Sequence, residues 1–219
     1  MSDKNRRDYE RLAGDFIKSH EGHSPETYDD IKGIPTVGYG ANLESPDMPG
    51  IAEKMNIDLD AVKAGRARLG QDTSEKIFQE QKSEKERYFD TIKDKDFPSS
   101  DITDNERAAL VSLGYNSPKL WGPNLRQKLE DNDDVGVARE ILLESNKNKV
   151  PGIQKRRLDE ARLYAGDNWE NVYNTLTSQE KKELRNIILE IKNPHERERV
   201  LNEFPFLKHT MRFQKLRKP

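Results

Sequence analysis

The chain has 219 residues, of which 32% are hydrophobic and 36% charged, with a formal charge of −2. That length supports one core or two small ones, and the near-balanced charge gives no whole-chain case for nucleic acid binding. The absence of cysteine excludes a disulfide framework and a thiolate zinc site, and the four scattered histidines have no metal-binding spacing.

Residues 7–20 carry Tyr9, Leu12, Ala13, Phe16 and Ile17 at helical period, which predicts the first helix. Gly22 and Pro25 end it and leave Glu21 in the last turn, where the helix dipole disfavours its charge. The next stretch loses that period. Residues 26–30 and 35–39 read as two short strands, turned at Lys32-Gly33. Short helices are expected near 50–55 and 59–67. A longer one should start with Asp72 as cap and Glu75 three residues on. Its middle is very polar, as a solvated connector between two lobes or an ordinary surface helix would be.

Thr103-x-x-Glu106 is a capping-box pattern, and the helix behind it should end near Gly114. Further helices are read at 124–130, 135–143 and 153–165, the last closed by Gly166, with a short turn from Asn168-Trp169. Thr177-x-x-Glu180 opens another helix, and Pro194 a shorter one. The final 15 residues hold Lys208, Arg212, Lys215, Arg217 and Lys218 with no acid. No apolar run is long enough for a membrane span, and the first residues have no signal-peptide core.

Residues 21–40, EGHSPETYDDIKGIPTVGYG, hold the chemistry. An inverting glycosidase needs one carboxylic acid for the leaving oxygen and one carboxylate for water, roughly 6.5–9.5 Å apart. Glu21 at a helix end and Asp30 on a turn suit that pair, and Thr36 can hold a water against Asp30. The same residues also fit a plainer reading. Glu21 then fills a helix end, Asp30 makes an Asx turn and Thr36 is a strand former.

The segment resembles the phage-type lysozymes, the muramidases of tailed bacteriophages. Their pattern is a Glu ending the first helix, eight residues, an Asp after a Tyr-x pair, five residues, then a Thr leading into Gly-x-Gly. Here these are Glu21, Tyr28-Asp29-Asp30 and Thr36-Val37-Gly38-Tyr39-Gly40, with Gly33 in the hairpin. The resemblance implies catalytic roles for Glu21, Asp30 and Thr36. It makes Arg156, thirteen residues before Trp169, the arginine that pairs with the catalytic glutamate. Asn124-Leu-Arg-Gln-Lys-Leu resembles the helix facing the cleft. Tyr39, Asn42 and Trp121 are candidates for sugar contact. Two departures stand out: Ala41 replaces a histidine that is usually structural, and the chain runs on past Thr177.

The fold so implied is α+β and mainly helical, a two-lobed lysozyme-like fold. Residues 1–176 would be the catalytic domain: a small β-containing lobe at about 21–70, a connecting helix at about 72–93 and a helical lobe at about 94–176 joined by helix 7–20. Residues 177–219 would be a helical extension with a basic tail. The implied activity is that of a peptidoglycan hydrolase, cleaving between N-acetylmuramic acid and N-acetylglucosamine with inversion and without metal or cofactor. The alternatives are an inactive or structural wall-binding phage protein of the same fold and a lytic transglycosylase. A monomer is expected, with peptidoglycan as substrate and an anionic envelope or virion component as the partner of residues 205–219. It is expected to be made in the host cytoplasm. A separate export or lysis factor, or carriage in the virion, would bring it to the wall.

Overall fold

A computed structural model describes residues 3–30, 32–145 and 152–202. Its contacts group the chain into two compact units, Met1–Asn132 and Asp133–Pro219. The expected tail surface at 205–219 lies outside the described residues.

The first unit opens with α1, Asp3–Glu21, which starts earlier than its apolar period suggests. Tyr9, Ala13 and Ile17 are four residues apart and all buried, while Arg6, Glu10 and Arg11 face out. Gly22, at φ +69°, ends the helix with its N–H donating to the Lys18 carbonyl at 3.2 Å. The chain then forms a three-stranded antiparallel sheet from β1 (Ser24–Asp29), β2 (Pro35–Gly38) and β3 (Ala41–Asn42), in that order. The sequence showed two of these strands. β3 has two residues, too few for any alternation to show. Pro25 sits within the edge strand β1, where a missing donor is tolerated, and its carbonyl accepts from the Leu69 amide at 3.0 Å.

One sheet face is apolar. Val37 and Ala41 are Cα partners and pack with Leu43, Met48, Ile51, Val62, Leu69 and Ile77 into a small core. That core is closed by α2 (Met48–Lys54), α3 (Leu59–Lys63) and α4 (Gln71–Asp96). The expected Asp72 cap is not formed: α4 begins at Gln71 behind Gly70, so Asp72 lies inside the first turn, where its charge suits the helix dipole. Nor is the middle of α4 solvated throughout. Gln81 and Lys82 are buried, Lys82 pairs with Glu86 at 2.9 Å, and the Tyr9 hydroxyl donates to the same Glu86 oxygen at 2.9 Å. A polar stretch can therefore be interior when its charges meet partners from another helix.

α5, Asp104–Asn116, carries the expected capping box, with both Thr103 and Glu106 bonds in place. It packs against α1 and α4 and buries a continuous run from Ala108 to Gly114. Gly114 is not its terminator. A Cβ there would lie 1.8 Å from Trp121 Cζ2, so the glycine admits the indole. Gly114→Ala is expected to destabilise the protein by about 1–3 kcal/mol, because overpacking against a buried ring outweighs the roughly 1 kcal/mol that alanine adds to a helix. Urea unfolding measures this, and a stabilised variant would contradict it. After a 3-10 turn at Pro118–Leu120, α6 (Pro123–Glu130) completes the unit.

The second unit is helical. Asp133 caps α7 (Asp134–Arg139), which passes into a π turn at Glu140–Glu144 where one uninterrupted helix was expected. α8 (Ile153–Ala165) ends at Gly166 as anticipated, followed by α9 (Trp169–Thr175), α10 (Ser178–Leu189) and α11 (Pro194–Asn202). The second capping box, Thr177 with Glu180, is also formed. α10 and α11 bury Leu184, Ile187, Ile188 and Val200, and ion pairs Arg139–Glu180 (3.0 Å) and Lys155–Glu196 (2.8 Å) tie them to the preceding helices. The extension is thus part of the packing of its unit. Among the described residues, no helix is long and apolar enough to cross a membrane, and no cluster of His, Asp and Glu is arranged to hold a metal ion.

Candidate active site

The end of α1 meets the turn between β2 and β3, and the sheet sets Tyr28, Thr36 and Asn42 in one cross-strand row. Glu21 is the last residue of α1 and is half-buried. Its carboxylate lies against the turn between β2 and β3. A Cβ on Gly40 would sit 2.7 Å from Glu21 Oε2 and 3.3 Å from its Cδ. Gly40 also has φ +77°, so both the backbone and the close approach require glycine.

Asp30 closes the β1–β2 hairpin. Its Oδ1 accepts from the amides of Lys32 (2.7 Å) and Ile34 (2.9 Å), and its own amide donates to the Ile34 carbonyl at 3.0 Å. Gly33, at φ +75°, allows the turn and donates to the Asp30 carbonyl at 2.9 Å. The other carboxylate oxygen, Oδ2, accepts no hydrogen bond among the described residues. One oxygen thus holds the loop.

Thr36 is buried at the centre of the sheet, and its hydroxyl donates to the Ile34 carbonyl at 2.9 Å. With its proton so placed, the oxygen presents lone pairs as an acceptor. Tyr28 pairs with Thr36 across β1–β2, and Thr36 with Asn42 across β2–β3. Directly opposed residues share a sheet face, so Tyr28, Thr36 and Asn42 form a row on the face away from Val37 and Ala41. The pKa of Tyr28 is raised by partial burial first, then by the negative charges of Glu21 and of Asp30. One phenol therefore sits in the field of both carboxylates.

The proposed sugar contacts fare unequally. Asn42 is on the row; its Oδ1 accepts from the Glu44 amide at 2.7 Å, leaving its amide nitrogen without a hydrogen bond among the described residues. Tyr39 packs its ring on His23 (4.8 Å between centroids) and Phe78 (5.7 Å), and its hydroxyl accepts from Gln71 at 3.1 Å. Trp121 is a correction. Its indole is buried, packs at a tilt on Phe89 with 5.4 Å between centroids and donates to the Leu110 carbonyl at 2.9 Å, so it is core and presents no face to a ligand. Arg156 lies on α8 in the second unit, buried, with its Nε donating to Glu160 Oε1 at 2.9 Å. Sequence reasoning used Tyr28 only to mark a spacing. The signal that finds it is the strand register, which sets it opposite Thr36.

A sequence model of the phage lysozyme family matches residues 18–160, more than half of the chain. The chain belongs to the phage lysozyme family. Its fold is that of lysozyme-family glycoside hydrolases, with helices α9, α10 and α11 beyond the matched region. Among solved structures, it is similar to an endolysin from Escherichia coli O157:H7 phage FAHEc1. The two share 23% identity at a TM-score of 0.55, covering 72% of this chain and 92% of that one. It is also similar to the muramidase domain of SpmX from Asticcacaulis excentricus, at 15% identity and a TM-score of 0.52, covering 70% and 95%. At these identities the likeness is one of fold. No curated protein matches the sequence.

Proposed function

We propose that this phage lysozyme family member is a peptidoglycan hydrolase that cleaves the β-1,4 bond between N-acetylmuramic acid and N-acetylglucosamine. The observation that carries this is the placement of Glu21, at the end of α1 against the Gly40 turn, on the same small sheet whose β1–β2 hairpin is closed by Asp30 and whose β2 carries Thr36. Glu21 is the general acid and gives its proton to the glycosidic oxygen as the bond to the anomeric carbon breaks. Asp30, with the acceptor oxygen of Thr36, aligns a water on the opposite face and takes its proton as the new bond forms. The product is then inverted at the anomeric carbon. Asn42 offers its amide nitrogen to an N-acetyl carbonyl. The roles of Arg156 and of the cell wall as place of action rest on the resemblance and on relatives named as an endolysin and a muramidase domain.

Asp30 separates fold from chemistry. Asp30→Asn keeps an oxygen acceptor for the Lys32 and Ile34 amides but cannot take a proton. It should unfold within a few degrees of the parent while turnover of purified peptidoglycan falls about 10²–10⁴-fold. Asp30→Ala should lose the same activity and also about 1–2 kcal/mol of stability, because two loop amides lose their acceptor. Full turnover by Asp30→Asn would remove Asp30 from the mechanism.

A further inference from the structure

Tyr28 has the features of a residue that waits for a ligand. It is 40% exposed, on the sheet face that carries Thr36 and Asn42. Its hydroxyl makes no hydrogen bond among the described residues. The two other large exposed apolar side chains in the described residues are Tyr88 and Leu189, and Tyr88 packs at a tilt against Trp121, 5.8 Å between centroids. Tyr39, the other tyrosine of this stretch, has its ring packed and its hydroxyl satisfied. Tyr28 has neither. An amphipathic ring beside two carboxylates, in a site with an open amide nitrogen at Asn42, suits one ligand class in particular. A pyranose offers apolar C–H faces to a ring and hydroxyl or N-acetyl oxygens to a donor.

We infer that Tyr28 contacts the glycan directly, its ring against a pyranose face next to the scissile bond and its hydroxyl donating to a sugar oxygen. This rests on the glycan-cleaving reading above. Burial and the two acids hold the hydroxyl above the usual tyrosine range, so it remains a neutral donor at neutral pH. A phenolate there would face two carboxylates and repel the substrate's lone pairs. Tyr28 therefore sets affinity and sugar orientation, while Glu21 and Asp30 move protons.

The test is calorimetric titration of the full chain carrying Glu21→Gln with a soluble tetrasaccharide of alternating N-acetylglucosamine and N-acetylmuramic acid. Adding Tyr28→Phe, which keeps the ring, should weaken binding about threefold to tenfold, the loss of one neutral hydrogen bond. Adding Tyr28→Leu should weaken it further, with the unfolding temperature unchanged in both. In the active protein, Tyr28→Phe should raise KM more than it lowers kcat. Binding by both Tyr28 variants equal to that of Glu21→Gln alone would overturn the Tyr28 contact and leave the hydrolase reading standing. A Glu21→Gln protein that binds no tetrasaccharide would overturn both.

Discussion

Glu21→Gln is expected to fold like the parent and to cleave peptidoglycan about 10²–10⁴-fold more slowly. Gln has the size of Glu, so it fits against Gly40, where the carboxylate oxygen now comes within 2.7 Å of the position a Cβ would take. It has no acidic proton to give, and the leaving sugar must then depart as an unprotonated alkoxide. Stability should stay close to that of the parent, because the amide keeps the shape and hydrogen-bonding reach of the side chain at the end of α1. Turbidity clearing of isolated walls and calorimetric unfolding read the two effects separately. Activity within twofold of the parent would exclude Glu21 as the acid.

Glu160→Ala is expected to cost about 3–5 kcal/mol. Glu160 is fully buried on α8 between Arg156 and Arg157, which are 4% and 0% exposed. Its Oε1 takes the Arg156 Nε at 2.9 Å, and its Oε2 takes Arg157 Nη1. Removing the carboxylate leaves two guanidinium charges in the interior without their shared counter-charge, and breaking one side of a buried ion pair is far more damaging than never having built it. For a chain of this size each kcal/mol moves the melting temperature by roughly 2–4 °C, so a fall on the order of 10 °C is expected. Glu160→Gln retains acceptor geometry for one arginine and should fall less. A drop below about 2 °C for Glu160→Ala would contradict the assignment of this triad as a structural centre of the second unit.

What was legible in the sequence was what is locally encoded. Thr103 with Glu106 and Thr177 with Glu180 announce their helices because the bonds that form the box lie within four residues. The helix stop after Glu21 and the hairpin glycine after Asp30 were legible for the same reason, whereas roles for Glu21, Asp30 and Thr36 came only from the resemblance of their spacing to the phage-type lysozymes. The rest depends on contacts far apart in the chain. Gly114 looks like a stop until Trp121 is seen filling the space above it, and Trp121 looks like a sugar platform until its N–H is found on Leu110. Lys82 reads as solvated because its neighbours are polar, yet Glu86 and Tyr9 make it an interior residue. Tyr28 has no motif of its own. Its meaning comes from a register with Thr36 and from two acids, one on the preceding helix and one two residues ahead.

The chemistry of the cut ends tests the central claim most directly. Purified peptidoglycan digested by the wild-type protein and analysed by mass spectrometry should yield fragments ending in reducing N-acetylmuramic acid, formed by addition of one water. The Glu21→Gln protein should give essentially none of them. Ends lighter by one water, in the anhydro form, would show that a sugar hydroxyl and not water attacked. Those ends, or intact glycan strands after exhaustive treatment with the folded wild-type protein, would contradict the hydrolytic account.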